Sequence, residues 1–79
     1  MEIIEIKTDF IKLQQVLKLA GMIDAGSDAK YYISEGMVKV NGVVATERGK
    51  KIRNNDIVEV DGIGKIQIKA PEMWLFQAL

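Results

Sequence analysis

Apolar positions recur along this chain at two different spacings, and the change from one to the other divides it. The first stretch, "EIIEI" at residues 2–6, is crowded with β-branched Ile3, Ile4 and Ile6 and predicts a short strand. Thr8 and Asp9 suit the N-terminal cap of a helix. Leu13, Val16, Leu17 and Ala20 then recur at helical spacing, while Gln14, Gln15 and Lys18 take the other face. Gly21 suits the C-terminal end of that helix. Asp24-Ala25-Gly26-Ser27 predicts a turn and the start of a second helix, with Ala29, Tyr32 and Ile33 inward and Gly36 at its end. Two short helices linked this tightly pack as a hairpin or a helix-turn-helix-like pair.

From Val38 the period falls to 2. Val38 and Val40 alternate with Lys39 and Asn41, and Asn41-Gly42 is a strong hairpin signal. "VVAT" follows, then the basic stretch "ERGKK", then two further strands, "DIVEV" (56–60) and "KIQIK" (65–69), with Asp61-Gly62 between them. The expected order is β-α-α-β-β-β-β. That is an α+β domain, two short packed helices against a small, mostly antiparallel sheet. One domain is expected over residues 1–70, followed by an apolar tail, "PEMWLFQAL", at 71–79.

Composition narrows what such a domain does. Seventy-nine residues form a small core, of the size that often needs a disulfide or a metal. The chain has no cysteine, so disulfides and thiolate metal sites are excluded. It has no histidine either, which removes the usual general base and the serine and cysteine triads. Acids stand where a signal peptide needs basic residues, and no apolar run is long enough to span a bilayer. A cytoplasmic location away from membranes is expected, and no cofactor.

Formal net charge is zero, but its distribution is uneven. Residues 36–55 carry five basic side chains (Lys39, Arg48, Lys50, Lys51, Arg53) against one acid, Glu47, which leaves that segment at +4. The segments on either side stand at −2 each. Screening limits electrostatic reach to about 10 Å at ordinary salt, so a phosphate backbone meets the local charge and not the total.

Catalytic motifs are missing. Six residues lie between Gly42 and Gly49 where a phosphate-binding P-loop has four, and Lys51 occupies the Ser/Thr position. Ser27 and Lys30 share a helical turn, a common pairing that reads as a surface contact. Glu59 and Asp61 point the same way on one strand, which is too few oxygens for a dedicated divalent-ion site. The basic stretch is the stronger signal. A charged loop is ordinarily a solvated face. Here the cations cluster in a chain that is otherwise acidic, and Lys and Arg offer phosphates charge-assisted hydrogen bonds.

The string "AKYYISEGMVKVNGVVATERGKKI" (29–52) resembles the S-four RNA-binding domain family, in particular its small stand-alone bacterial subgroup. Ala29-Lys30, Ile33, Gly36, Val38, Val40, Asn41 and Gly42 follow the family pattern in order and spacing. "FIKLQQVLKLAGM" (10–22) is similar to the family's first helix, and "NNDIVEV" (54–60) to its Gly-Asp-hydrophobic strand. The resemblance covers residues 3–69. It implies a non-catalytic module that binds structured RNA, ribosomal RNA or a ribosome-assembly particle. It also implies an RNA surface comprising Lys12, Lys30, Lys39, Arg48, Lys50, Lys51 and Arg53. Tyr31 shares a helical face with Ser27, Lys30 and Ser34 and is expected to stack on an unpaired base or to serve as a rim residue. Gly36, Asn41 and Gly42 are expected to hold turns. The family's domain also accompanies pseudouridine synthases and tRNA synthetases, but at this length no catalytic domain is expected.

Two departures stand out. Many family members carry Arg-Leu-Asp where this chain has Lys12-Leu13-Gln14, and Ser-Arg where it has Ala25-Gly26. The bidentate arginine fork at the second position is therefore missing. The tail lies outside the resemblance. Met73, Trp74, Leu75, Phe76 and Leu79 are expected either to enlarge the core or to contact a protein partner or a second copy. The alternative function is therefore a protein-interaction module on the same scaffold.

Overall fold

A computed structural model of the chain describes residues 1–24 and 28–71. The expectations for Ala25, Gly26 and Ser27, and for Met73, Trp74, Leu75, Phe76 and Leu79, lie outside the described residues. The strands are β1 (Glu2–Glu5), β2 (Phe10–Lys12), β3 (Val38–Val40), β4 (Val43–Val44), β5 (Lys51–Arg53), β6 (Ile57–Val60) and β7 (Gly64–Lys69). The helices are α1 (Leu13–Leu19) and α2 (Ala29–Ser34), both between β2 and β3. Five strands form one sheet in the order β1-β7-β6-β3-β4, and β2 pairs with β5 in a separate two-stranded ribbon.

The α+β class is as expected, and the order is not. Sequence similarity places Phe10–Lys12 in the first helix, whereas they form β2, and part of the basic stretch forms β5. The helix therefore starts at Leu13. Thr8 and Asp9 do not cap it: the Thr8 hydroxyl donates to the Phe10 carbonyl (2.6 Å). Lys12 occupies the N-cap, and its backbone N–H donates to Gln15 Oε1 (3.4 Å). Two of the orphan N–H groups of the first turn are satisfied from the stretch just before β5. Leu13 N–H donates to the Lys50 carbonyl (2.9 Å) and Gln14 N–H to the Arg48 carbonyl (3.0 Å). The second helix is capped conventionally, Asp28 Oδ1 accepting from Lys30 N–H (2.9 Å).

The sheet is mixed. β3, β4, β6 and β7 run antiparallel to their neighbours, whereas β1 lies parallel to β7, with Glu2 opposite Ile66 and Ile4 opposite Ile68. Alternation then decides burial. Val38, Val40, Val58, Val60, Ile66 and Ile68 point to one face and are buried. They form one cluster with Leu13, Val16 and Leu17 of α1 and with Ala29 and Ile33 of α2. Tyr32 packs against this cluster from α2. The opposite face carries Lys39, Glu59 and Lys65 in one cross-strand row. Ile52 of β5 is fully buried, and its register partner Ile11 is partly buried against the same core. The ribbon is thus tied down by its apolar side. Among the described residues, no helix is long and apolar enough to cross a membrane.

Candidate nucleic-acid interface

The β2–β5 ribbon explains where the positive charge goes. Its register is Phe10 opposite Arg53, Ile11 opposite Ile52 and Lys12 opposite Lys51. Side chains alternate across a strand, so burying Ile11 and Ile52 sends Phe10, Lys12, Lys51 and Arg53 to the other face. Lys12, Lys51 and Arg53 are exposed. Neither strand contains an acid. Lys12 and Lys51, far apart in sequence, become neighbours through one pairing. Arg48 and Lys50 follow from the same geometry, since their carbonyls accept from the first turn of α1 and their side chains lie in the exposed stretch just before β5. Five of the seven expected cations therefore converge at the head of α1.

Asn41 fixes the ribbon to the sheet. Asn41 and Gly42 both have positive φ, 52° and 83°, as a type I′ turn between β3 and β4 requires. Asn41 Nδ2 donates to Asp56 Oδ1 (3.1 Å), and Asn41 Oδ1 accepts from Ile57 N–H (2.9 Å). Asp56 Oδ2 in turn accepts from Arg53 N–H (2.8 Å). The Asp56 carboxylate is thus engaged with backbone and amide donors at the end of β5. Gly36, with φ 72°, ends the turn after α2, where the Gly36 N–H donates to the Ile33 carbonyl (3.1 Å).

The remaining candidates sit elsewhere. Lys39 lies on β3, next to the edge strand of the five-stranded sheet, opposite Glu59 on β6 and Val44 on β4, and is half-buried. The same acid, Glu59, stands opposite Lys65 on β7. Lys30 and Tyr31 stand exposed on α2. Tyr31 is 58% exposed and meets Tyr32 edge-on, with ring centroids 5.5 Å apart and planes at 82°. That contact leaves a face of the ring open.

Phe10 is a residue that sequence reasoning does not single out, because its strand reads as helix. It is partly buried and carries two cations: Lys51 Nζ lies 4.8 Å from the ring centroid and Arg53 Cζ 5.7 Å from it. The available signal is in "FIK" and "KIR", two short segments in which one isoleucine is flanked by outward residues. Among the described residues no group of three or more acidic, histidine or cysteine side chains is placed to hold a metal ion.

A family model described as "S4 domain" matches residues 4–69, which spans both helices, the sheet and the ribbon. The chain belongs to the S4 domain family. This S4 domain is 43% identical over 65 residues to a Bacillus subtilis (strain 168) protein named "Probable ribosome maturation protein RlbA". The match covers 82% of this chain and 92% of that protein. It is 39% identical over 56 residues to an Escherichia coli (strain K12) protein named "Putative RNA-binding protein YbcJ", covering 71% of this chain and 80% of that one. It is also 41% identical over 64 residues to "Ribosomal large subunit pseudouridine synthase B" of Bacillus subtilis (strain 168). There the match covers 81% of this chain but only 25% of the enzyme. The matched region thus makes up most of the first two relatives and a minor part of the third.

Proposed function

We propose that this chain is a non-catalytic RNA-binding module that holds structured RNA, either ribosomal RNA or a ribosome-assembly particle. The observation that carries this reading is the exposed face of the β2–β5 ribbon, which presents Lys12, Lys51 and Arg53 with no acid on either strand. Arg48 and Lys50 extend that surface along the approach to β5. Lys30 and Tyr31 on α2 form a second patch, and Lys39 contributes least because Glu59 stands opposite it. Binding comes from neutralised phosphates and released counterions, with shape recognition and little reading of bases. The names of the RlbA and YbcJ relatives, one for ribosome maturation and one for RNA binding, support this reading. So does the absence of histidine and cysteine from the chain.

The test is binding to folded total ribosomal RNA across a salt series, beside a Lys50→Glu/Lys51→Glu variant shown by circular dichroism to be folded. The wild type binds, its affinity falls steeply with salt, and the variant binds weakly. For each phosphate that the variant no longer neutralises, the log–log salt slope becomes shallower by about one. Equal binding by the two proteins, or none by either, rules the reading out.

A further inference from the structure

The ribbon combines cations with an aromatic ring, and their arrangement has a use. Phe10 faces Arg53 in register and lies diagonal to Lys51. Both cations fall within the ~6 Å over which a ring face attracts a positive charge, at 4.8 Å for Lys51 Nζ and 5.7 Å for Arg53 Cζ. The ring is partly buried and the cations are exposed, so the ring is the fixed partner and the cations are the ones held. Thr8 anchors the start of β2 through the Phe10 carbonyl (2.6 Å). A free lysine or arginine loses rotamer entropy when it grips a phosphate, and one already resting on a ring loses less. Contact with the ring uses one side of an ammonium or guanidinium. The remaining N–H donors stay available to a ligand. Lys51 and Arg53 also stem from alternate residues of one strand, so their backbone positions stand about 7 Å apart and their side chains leave the same face.

We propose that Phe10 is a positioning residue of the RNA site: it holds Lys51 and Arg53 in place so that, with Lys12, they grip adjacent phosphates of one RNA strand. The inference rests on the RNA-binding reading given above. Phe10 acts through the two cations and does not stack on a base, since the cations occupy the ring.

The experiment measures affinity for folded total ribosomal RNA over a salt series, with wild type, Phe10→Leu, Phe10→Tyr and Lys51→Gln/Arg53→Gln. Phe10→Leu is also placed in the Lys51→Gln/Arg53→Gln background. Thermal melts accompany each protein, and Phe10→Ile stands in should Phe10→Leu fail to fold. Phe10→Leu is expected to bind about three- to tenfold more weakly with an unchanged salt slope, because the cations still reach the phosphates but are no longer pre-set. Phe10→Tyr keeps the ring and is expected to bind within about twofold of wild type. In the Lys51→Gln/Arg53→Gln background the Phe10→Leu effect should vanish. Wild-type affinity for Phe10→Leu overturns the proposal. An undiminished Phe10→Leu effect in the background without those two charges also overturns it, since the ring would then touch RNA itself. If Lys51→Gln/Arg53→Gln binds as wild type does, the RNA reading of the ribbon fails first, and the role of Phe10 fails with it.

Discussion

Lys12 and Lys51 stand directly opposite each other on the β2–β5 ribbon, two like charges in cross-strand register with no acid on either strand. Like charges so placed are destabilising, by about 0.2–1 kcal/mol on the scale of such pairs. The free protein should therefore gain stability as salt rises from about 10 to 150 mM, where the screening length shrinks from about 30 to 8 Å. Lys12→Gln should raise the melting temperature at low salt while weakening RNA binding. A melting temperature that falls or stays flat with salt removes this account.

Asn41 joins the β3–β4 turn to the start of β6 through two side-chain hydrogen bonds, to Asp56 and to the Ile57 N–H. Asn41→Gly keeps the positive φ but loses both bonds, and should cost about 1–2 kcal/mol in urea unfolding. Asn41→Ala loses the bonds and also carries the strain of the left-handed backbone, and should cost about 1 kcal/mol more. Equal losses in the two variants would show that the φ of 52° carries no penalty there.

Among the described residues, Asn55 is the other non-glycine residue with a left-handed backbone, at φ 72°. Its N–H donates to the Ile68 carbonyl (2.7 Å), which holds the turn in that shape. Asn55→Gly should leave stability nearly unchanged, because relief of strain and added freedom of the unfolded chain offset each other. Asn55→Ala should lose about 1 kcal/mol. Chemical denaturation of the pair reads the difference directly.

Ile52 is fully buried beneath the ribbon and faces Ile11 across it. Ile52→Ala should cost about 2–5 kcal/mol, a large share of the stability of a domain this small. Its melting temperature should drop well below that of any surface-charge variant. A mild loss would mean that the ribbon is packed more loosely than a fully buried isoleucine implies.

Local features are legible in the sequence and distant ones are obscure. Asn41-Gly42 announces its hairpin because the turn's chemistry lies within two residues. Leu13, Val16 and Leu17 announce a helix because their spacing is internal to it. Phe10–Lys12 offers no such cue: three residues are too few to show a period, and they run straight into a helical pattern. Their partner, Lys51–Arg53, lies far along the chain, so only the folded chain reveals the pair. The same distance hides the convergence of Lys12 with the basic stretch, and with it the role of Phe10. Lys39 shows the opposite case. It belongs to the basic cluster in sequence, and the sheet places it opposite an acid.

The parallel pairing of β1 with β7 carries a consequence for how the chain is made. Glu2 to Glu5 leave the ribosome long before their partners, Ile66 to Lys69. Until then β1 has no strand to lie against, while the β3–β4 hairpin and both helices depend on shorter loops. The sheet is therefore sealed at its first strand by the last of its strands to be synthesised. A nascent chain stalled before β7 would carry Ile4, Ile6 and the free edge of β6 exposed to proteases and to neighbouring chains.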